Sequence, residues 1–436
     1  MDILKFDLQK PGAEFKILNA TNGGPFYERH KKDQLRSNFS DYKAARIPYS
    51  RNHDSAAHQV YGGPYSHDIS CIFPNFDADE YSPESYDFAC TDESILACLD
   101  AGTETFFRLG QTIEHQIKKH ATLPPKDFKK WAVICEHIIR HYNEGWANGY
   151  ELGIEYWEIW NEPDLDEDDS DNKRTWGGTK KEFFELYKTA ALHLKGCFPH
   201  LKIGGPAIAG WIEWADEFLC EMQKADVPID FFSWHIYCVE PKEMLKRAYK
   251  VQEIMEKYGY GDAESILNEW NYVKDWTDKF VYSLNAIHGI KGAVFALSCI
   301  CAAQNSPIDM LMYYDTRPSA FNGAFDYYTY EKLKGYYALY WYGMCYDLEK
   351  EIKAENEIDN IYSLCGTSKD GKAMLIITCY SDDDTYAGRD ISIDLGKNGL
   401  YDVYLLDAEH DGEFYKTTDC LEFSMKNHSA LLIKEK

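Results

Sequence analysis

Two short acidic motifs in the 436-residue chain have the residue types and setting that chemistry needs. The first is WNEP at residues 160–163, which contains Glu162, and the second is NEWN at residues 268–271, which contains Glu269. Each ends a short apolar run that is typical of a buried strand, and neither has a cluster of metal ligands beside it in the sequence. Two glutamates without a metal favour a mechanism in which one carboxyl group moves a proton and the other acts as a carboxylate.

Hydrolysis of a glycosidic bond needs such a pair of carboxyl groups. One protonates the leaving oxygen while the other attacks the anomeric carbon. We assign the acid/base to Glu162 and the nucleophile to Glu269. The negative charge of Glu269 should raise the pKa of Glu162 until the glycosyl-enzyme forms, after which Glu162 can ionise and act as a base toward water.

The elements that must position these glutamates alternate between strand and helix eight times. We predict strands at 15–21, 44–49, 103–110, 154–160, 201–205, 229–237, 265–270 and 309–314. We predict helices around 32–43 and at 93–101, 125–143, 179–197, 211–224, 241–258, 276–303 and 330–345. The strands are short and apolar without strict alternation, as in a parallel sheet that is buried on both faces. Eight such units predict an α/β fold, a (β/α)8 TIM barrel over residues 15–348, with its active site at the carboxyl ends of the strands.

From about residue 349 the apolar pattern changes to a period of two, as in the segment AMLIITCY at 373–380. Turns rich in Gly, Asp and Asn separate these segments. Residues 349–436 are therefore predicted to form a small C-terminal antiparallel β domain that resembles a sandwich, and residues 1–14 could join it as a further strand.

Charge and cysteine content narrow the function classes. A formal net charge of −26 argues against a nucleic-acid partner and makes a strongly acidic sugar less favourable than a neutral oligosaccharide. No apolar run is long enough to span a membrane, and the start of the chain, MDILKFDLQK, lacks the features of a secretion signal. Thirteen cysteines without a CxxC pair favour reduced thiols, so we expect a cytoplasmic protein. A homo-oligomer is left open.

The motifs together resemble a known group of enzymes. WNEP at 160–163, NE at 268–269 and SWHIY at 233–237 are similar to the fourth, seventh and sixth strands of the large barrel clan of retaining glycosidases. Within that clan the chain most resembles glycoside hydrolase family 39, the family of β-xylosidases and α-L-iduronidases, because NEPDL at 161–165 is followed by Trp176 and by EFFELYKTAA at 182–191. The resemblance covers residues 15–345 and fades in the C-terminal domain.

This resemblance implies a set of sugar-site residues in addition to the two glutamates. They lie at or just beyond the predicted strand ends and are Asn161, His235, Tyr237, Arg46 and His53. Apart from the resemblance, Trp176 and Trp270 could stack on a sugar, and Asp315 and Arg317, at strand eight where the chain departs from the clan, could bind sugar hydroxyls. Asn161 would hold the sugar 2-hydroxyl, and Tyr237 would donate a hydrogen bond to Glu269. Arg46 would be the rim arginine of strand two, although the sequence after it departs from the family pattern, so that His53 or Asp54 could take the place of the family's histidine.

A metal site on a predicted helix is one alternative interpretation. His137 and His141 lie four residues apart beside Glu136, but the metalloprotease spacing is absent, and a plain helix face is the better explanation. We expect no metal and no cofactor. The long loops at 50–91 and 164–178 favour exo action. The leading expectation is a retaining exo-β-xylosidase; the alternatives are an enzyme for α-L-arabinose-containing side chains and a non-catalytic carbohydrate-binding barrel.

Overall fold

The computed structural model describes residues 1–31, 34–58 and 62–436. Its strands, in chain order, are β1 (Asp2–Lys5), β2 (Ile17–Asn22), β3 (Tyr27–Lys31), β4 (Gln34–Ser37), β5 (Tyr49–Arg51), β6 (Ala56–His58), β7 (Gly62–Tyr65), β8 (Glu104–Leu109), β9 (Tyr156–Ile159), β10 (Lys202–Ile208), β11 (Phe231–Cys238), β12 (Glu264–Tyr272), β13 (Met310–Tyr313), β14 (Leu348–Glu351), β15 (Ile361–Ser368), β16 (Ala373–Cys379), β17 (Arg389–Asp394), β18 (Tyr401–Leu406), β19 (Asp411–Thr418), β20 (Glu422–Met425) and β21 (Ser429–Glu435).

The α-helices lie mainly between the strands of the first three quarters of the chain. They are α1 (Phe39–Ala45), α2 (Ile69–Ile72), α3 (Ala89–Asp100), α4 (Phe128–Asn143), α5 (Lys180–Cys197), α6 (Ile212–Lys224), α7 (Pro241–Lys257), α8 (Phe280–His288), α9 (Ile290–Ala303) and α10 (Lys334–Gly343). Short 3-10 turns occur at Pro83–Ser85, Trp146–Asn148 and Met344–Asp347.

Eight parallel strands among the described residues close into a barrel in the order β10, β11, β12, β13, β2, β5, β8, β9. Side chains that point inward from these strands pack together inside it, among them Phe106, Tyr156 and Phe231. A larger apolar layer joins the outer faces of the strands to the surrounding helices. The predicted (β/α)8 barrel is confirmed, and each barrel strand ends on the same rim.

The second barrel strand and two helices differ from the sequence prediction. The segment at 44–49 is not a strand, because α1 continues to Ala45 and Arg46 ends it in the left-handed conformation, at φ 51°. The second strand of the barrel is instead β5, which begins at Tyr49. Upstream of α1, β3 and β4 form an antiparallel hairpin where a helix was predicted, and residues 32–33 of that prediction lie outside the described residues.

The long helix predicted at 276–303 is two helices, α8 and α9, which meet at 77° around Gly289. A side chain at Gly292 would approach the backbone of Ala286 and Ile287 to 2.6 Å, so the close crossing of the two helices requires glycine there. In the described part of the chain no single helix is long and apolar enough to cross a membrane, and this bent pair passes that test only by length and composition.

The C-terminal residues form two sheets with a shared apolar core. One sheet has the order β14, β15, β16, β21, β18, β19, and the other has the order β1, β17, β20. The N-terminal strand β1 pairs in parallel with β17, and its Leu4 packs in the same core as Leu375 and Ile391. This domain lies against α9, where Ser298 Oγ and Thr378 Oγ1 are 2.7 Å apart.

Candidate active site

Glu162 lies just beyond the end of β9 in a conformation that its neighbours hold in place. Trp160 and Glu162 both have positive φ, at 75° and 47°, which is unfavourable for residues other than glycine. The amide of Glu162 donates to the carbonyl of Ala207 at 2.8 Å, and the hydroxyl of Thr175 donates to the carbonyl of Glu162. These bonds from β10 and from the following loop offset the backbone strain, and strain of this kind is typical of functional sites.

Glu269 lies in β12, next to His235 of β11 in the register of the sheet. His235 Nδ1 lies 2.8 Å from Glu162 Oε1 and 3.6 Å from Glu269 Oε2. Tyr237 donates its hydroxyl to Glu269 Oε2 at 3.1 Å. One carboxylate oxygen of Glu162, one ring nitrogen of His235 and one carboxylate oxygen of Glu269 lie within 4.8 Å of one another. Retaining glycosidases separate their carboxyl groups by about 5–5.5 Å, whereas inverting enzymes leave a wider gap for a water molecule.

Arg51, at the end of β5, is the buried arginine of this rim. Its Nη1 donates to Glu269 Oε1 at 2.7 Å, and its Nη2 donates to Asn161 Oδ1 at 2.6 Å. The prediction that Arg46 occupies the rim is corrected. Arg46 caps α1, its side chain is 46% exposed, and it pairs with Asp347 at 2.9 Å instead.

Glu158, a third carboxylate, lies beneath the pair and was missed by the sequence analysis. It is fully buried and accepts hydrogen bonds from Arg51 Nε and Ser233 Oγ, both at 2.6 Å, and from Asn268 Nδ2 at 2.5 Å. Arg51 therefore lies between two carboxylates, those of Glu158 and Glu269. The period of two in β9 was an available signal, because it turns Glu158 to the same inner face as Tyr156.

Burial and charge shift the titration of the site. Burial raises the pKa of Glu162, the negative charge of Glu269 raises it further, and the hydrogen bond from His235 opposes both. Burial lowers the pKa of His235, but the carboxylates of Glu269 and Glu162 outweigh burial and leave this pKa above its ordinary value. The proton shared by Glu162 and His235 is thus retained to a higher pH than an isolated glutamate would retain one.

Asp164 supports the wall beside Glu162. It accepts hydrogen bonds from the amides of Ala209, Gly210 and Trp211, at 2.7–3.2 Å. Burial raises the pKa of Asp164 to about 6 in spite of these bonds. The loop after β10 is therefore tied directly to the motif that carries Glu162.

A cavity of about 810 Å³ opens above the two glutamates. One side is polar and includes His53, Tyr314 and Arg317. Arg317 donates to the carbonyl of Asp54 at 2.6 Å and to the hydroxyl of Tyr314 at 2.8 Å, so it joins the loops that follow β5 and β13. Burial lowers the pKa of His53 well below its ordinary value, which leaves a neutral ring on this wall.

The cavity lining also includes the aromatic side chains Tyr237, Trp276, Phe280 and Phe321, and the rings of Tyr237 and Phe321 contact Tyr314. Trp276 is 56% exposed and contacts the ring of Tyr237 edge-on at 5.1 Å. The sequence predicts Trp276 as the first residue of a helix. Its place between β12 and α8, on the catalytic rim, was the signal that could have identified it.

Four other residues predicted to bind sugar are absent from the cavity lining. Asn161 is 2% exposed and accepts a hydrogen bond from Arg51. Trp176 is 3% exposed, donates its indole N–H to the carbonyl of Thr179, and packs edge-on against Trp160. Trp270 is 1% exposed and packs against Tyr313. Asp315 is buried behind the wall, where it accepts a hydrogen bond from Arg317 at 2.6 Å. Apolar packing thus explains the two tryptophans, and Asp315 orients Arg317.

The chain is similar in sequence to a known family of proteins and to two of their characterised relatives. The family model described as glycosyl hydrolases family 39 matches residues 62–284. A β-xylosidase of Geobacillus stearothermophilus is 30% identical over 204 residues, which are 44% of this chain and 38% of that protein. A β-xylosidase of Caldicellulosiruptor saccharolyticus is 32% identical over 182 residues, 39% of this chain and 34% of that protein. The matched region thus spans little more than a third of the length of these relatives.

Solved structures show the same fold across the whole chain. A glucosidase from Croceicoccus marinus superposes with a TM-score of 0.80 at 22% identity, covering 100% of this chain and 98% of its own. A monomeric β-xylosidase from Caulobacter crescentus CB15 superposes with a TM-score of 0.69 at 15% identity, covering 100% of this chain and 99% of its own. At this level of identity the likeness concerns the architecture alone.

Proposed function

The chain belongs to glycosyl hydrolase family 39, and from this premise we propose that it is a retaining, exo-acting β-xylosidase that cleaves neutral oligosaccharides by double displacement. The observation that carries the proposal is the group formed by Glu162, His235 and Glu269, with one atom of each within 4.8 Å of the others on the catalytic rim. Two carboxyl groups at this separation suit a covalent intermediate.

In the first step Glu269 attacks the anomeric carbon and Glu162 gives its proton to the leaving oxygen, so that the glycosidic bond breaks as an ester bond to Glu269 forms. Arg51 and Tyr237 hold the two carboxylate oxygens of Glu269 at 2.7 and 3.1 Å, which fixes the direction of attack. Burial raises the pKa of Glu162, which keeps this carboxyl group available as an acid.

In the second step water attacks the glycosyl ester and Glu162 accepts its proton. Esterification removes the charge of Glu269, and this charge is one of the causes that raise the pKa of Glu162. The pKa of Glu162 therefore falls when the intermediate forms, and the same residue becomes a base. Cleavage of the ester regenerates the carboxylate of Glu269 and releases the sugar with its anomeric configuration retained.

Xylose is proposed because two relatives with 30% and 32% identity are β-xylosidases. The cavity suits a small neutral sugar, since His53, Arg317 and Tyr314 offer polar contacts and Trp276 offers an aromatic face. Arg317 joins two rim loops across one side, and this favours exo action on chain ends.

A panel of aryl glycosides with xylose, arabinose and glucose tests the proposal, with the products followed by NMR. We expect hydrolysis of the β-xyloside with retention, and Glu269→Gln should abolish it. Glu162→Ala should lose about 10²–10⁴-fold with a poor leaving group but little with an activated one, and azide should then speed breakdown of the intermediate.

Glu167→Gln is the matched control, because Glu167 is an exposed glutamate in the loop directly after the WNEP motif. It should retain full activity. Preference for the arabinoside would replace xylose by arabinose and leave the mechanism intact. Turnover by Glu269→Gln at the rate of the unaltered chain would refute the catalytic assignment, and sugar binding without turnover would support a carbohydrate-binding barrel.

We also propose that the protein works in the cytoplasm. The thirteen cysteines carry free thiols, and eight of them are buried, as suits a reducing compartment. Fractionation of cells that express the full chain, followed by immunodetection, tests this, and recovery outside the cell would contradict it.

A further inference from the structure

Glu136, His193 and Cys197 form a group of metal-binding side chains on the outer helix layer, remote in the fold from the catalytic rim. One ligand atom from each lies within 4.8 Å of the others. Glu136 comes from α4, whereas His193 and Cys197 lie one turn apart on α5. The three residues, which we call the α4–α5 cluster, thus join two neighbouring helices.

The separations within the α4–α5 cluster suit a small tetrahedral ion. His193 Nε2 lies 2.7 Å from Glu136 Oε2 and 3.9 Å from Cys197 Sγ. Zinc bonds of about 2.0 Å to nitrogen and oxygen and about 2.3 Å to sulfur place tetrahedral ligand atoms roughly 3.3–3.5 Å apart. The two distances lie on either side of this range, so the ion would fit after the Glu136 carboxylate moves away from His193 and the Cys197 thiol moves toward it, each by about half an ångström.

The neighbouring charges are also matched to a divalent cation. Arg140 donates to Glu136 Oε1 at 2.8 Å, which orients the carboxylate and leaves Oε2 directed at His193. Arg140 is itself paired with Glu144. With Cys197 as thiolate and His193 neutral, the side chains of Glu136, Arg140, Glu144 and Cys197 carry a net charge of −2, which a divalent ion neutralises. Cys197 binds the ion as a thiolate, so its proton is released on binding.

We propose that Glu136, His193 and Cys197 bind Zn²⁺, with water as the fourth ligand, and that the ion clamps α4 to α5. A thiolate, an imidazole and a carboxylate together favour zinc over the hard cations. Cys197 ends α5 shortly before β10 begins, so the site lies toward the amino ends of the strands, opposite the catalytic rim. Its role is stability, and it takes no part in the glycosidase reaction.

The neighbouring histidines of α4 are not ligands of this site. The ring of His137 contacts the carbonyl of Val133 at 2.9 Å, and His141 contacts Asp92 at 3.1 Å. Both histidines thus have hydrogen-bond partners outside the α4–α5 cluster. The metal site proposed here pairs Glu136 with the next helix, a juxtaposition that exists only in the folded chain.

Cobalt titration of the full chain, reduced and freed of metal by a chelator, tests the proposal. We expect one Co²⁺ per chain, a thiolate-to-cobalt charge-transfer band, and displacement of that band by one equivalent of Zn²⁺. Cys197→Ser should lose the band, and His193→Gln and Glu136→Gln should each weaken Co²⁺ binding at least tenfold. Zn²⁺ should raise the thermal midpoint of the unaltered chain but not that of Cys197→Ser.

Cys220→Ser is the matched control, because Cys220 is also a half-buried cysteine on a helix, α6, outside the cluster. It should bind Co²⁺ as the unaltered chain does. Circular dichroism and xyloside turnover report whether each variant folds, and turnover should be the same with and without zinc. Absence of the band from the unaltered chain, or an equal band in Cys197→Ser, would overturn the proposal whether or not the chain is a glycosidase.

Discussion

At the scale of single residues, Arg51 forms ion pairs with two carboxylates, those of Glu158 and Glu269, and the side chain of Glu158 is fully buried. We predict that Glu158→Gln lowers the free energy of unfolding by about 3–5 kcal/mol, because it breaks a buried ion pair and leaves Arg51 partly uncompensated. It should also lower kcat, since Arg51 orients Glu269. Urea denaturation and steady-state kinetics on an aryl xyloside measure the two effects.

Glu155→Gln is the control for this prediction. Glu155 precedes the same strand and pairs with Lys202 at 3.5 Å, but its side chain is 45% exposed. An exposed pair contributes about 0–1 kcal/mol, so this variant should unfold nearly as the unaltered chain does. Equal losses in the two variants would mean that Glu158 has no special role beneath the site.

The pH dependence of turnover should identify the acid. With a poor leaving group, kcat/KM should fall as pH rises and Glu162 loses its proton. Burial and the charge of Glu269 raise the pKa of Glu162, so the fall should come at higher pH than for an ordinary glutamate. Glu162→Ala, assayed with an activated xyloside, should lose this limb of the profile.

Asp164 provides the comparison, because burial raises its pKa to about 6 and it lies two residues from Glu162. Asp164→Asn disturbs the loop after β10 and should lower kcat/KM, but the falling limb should stay. If the limb vanished in Asp164→Asn and persisted in Glu162→Ala, the titrating acid would be Asp164.

The residues of the site differ in how far the sequence could reveal them. Glu162 and Glu269 follow from motifs at strand ends, which are local features. Arg51 does not, because AARIPY at 44–49 reads as a strand, whereas packing against α10 extends α1 to Ala45 and the left-handed conformation of Arg46 ends it there. Because β5 begins a few residues later than the predicted strand, Arg51 and not Arg46 lies at its end.

At the scale of elements, the loop between β12 and α8 brings an aromatic side chain to the cavity. We predict that Trp276→Ala raises KM for a xylo-oligosaccharide by about three- to tenfold, equivalent to about 0.5–1.5 kcal/mol of stacking, with kcat little changed. Loss of binding that is equal in the ground state and the transition state has this kinetic signature.

Trp211→Ala is the matched variant. Trp211 is 50% exposed and also follows a barrel strand, but its side chain is absent from the cavity wall, and its contact with Asp164 is made by the backbone amide. It should leave KM unchanged. If the two substitutions changed KM equally, Trp276 would make no specific contact with the sugar.

Element order was predictable because the apolar runs of a parallel barrel are local and long enough to be recognised. Element ends and helix breaks were not. The helix at 276–303 has no proline, and its break depends on Gly289 and Gly292, whose significance is the approach of α8 and α9 to each other. Burial is similarly nonlocal: Trp176 and Trp276 look alike in the sequence, and only packing separates them.

At the scale of the whole molecule, the β domain is fastened to the barrel through α9. Lys291 is 7% exposed at its side chain and pairs with Asp382 and Asp384, each at 2.8 Å. Asp382 also accepts from Tyr272 and Lys274, at 2.7 and 2.6 Å. The sequence predicted a separate β domain, but partners about ninety residues apart could be matched only by the fold.

We predict that Lys291→Met lowers the free energy of unfolding by about 1–3 kcal/mol at neutral pH, because it removes the cation that Asp382, 14% exposed, shares with Asp384, 57% exposed. Burial raises the pKa of Asp382, but hydrogen bonds from Lys274, Lys291 and Tyr272 outweigh burial and leave this pKa below its ordinary value. The hydrogen bond from Lys291 also lowers the pKa of Asp384. Groups with lowered pKa contribute stability above their unfolded pKa and lose it as pH falls through the folded pKa.

The difference between Lys291→Met and the unaltered chain should therefore be largest near pH 7 and should shrink under acid conditions, where both aspartates become protonated. Urea unfolding at a series of pH values measures it. Lys242→Met is the control, because Lys242 pairs with Asp359 of the same β domain at 3.3 Å but both side chains are more than half exposed. Its effect should stay below about 1 kcal/mol at every pH. A Lys291→Met deficit that is constant with pH would show that the contact stabilises through packing of the alkyl chain and not through charge.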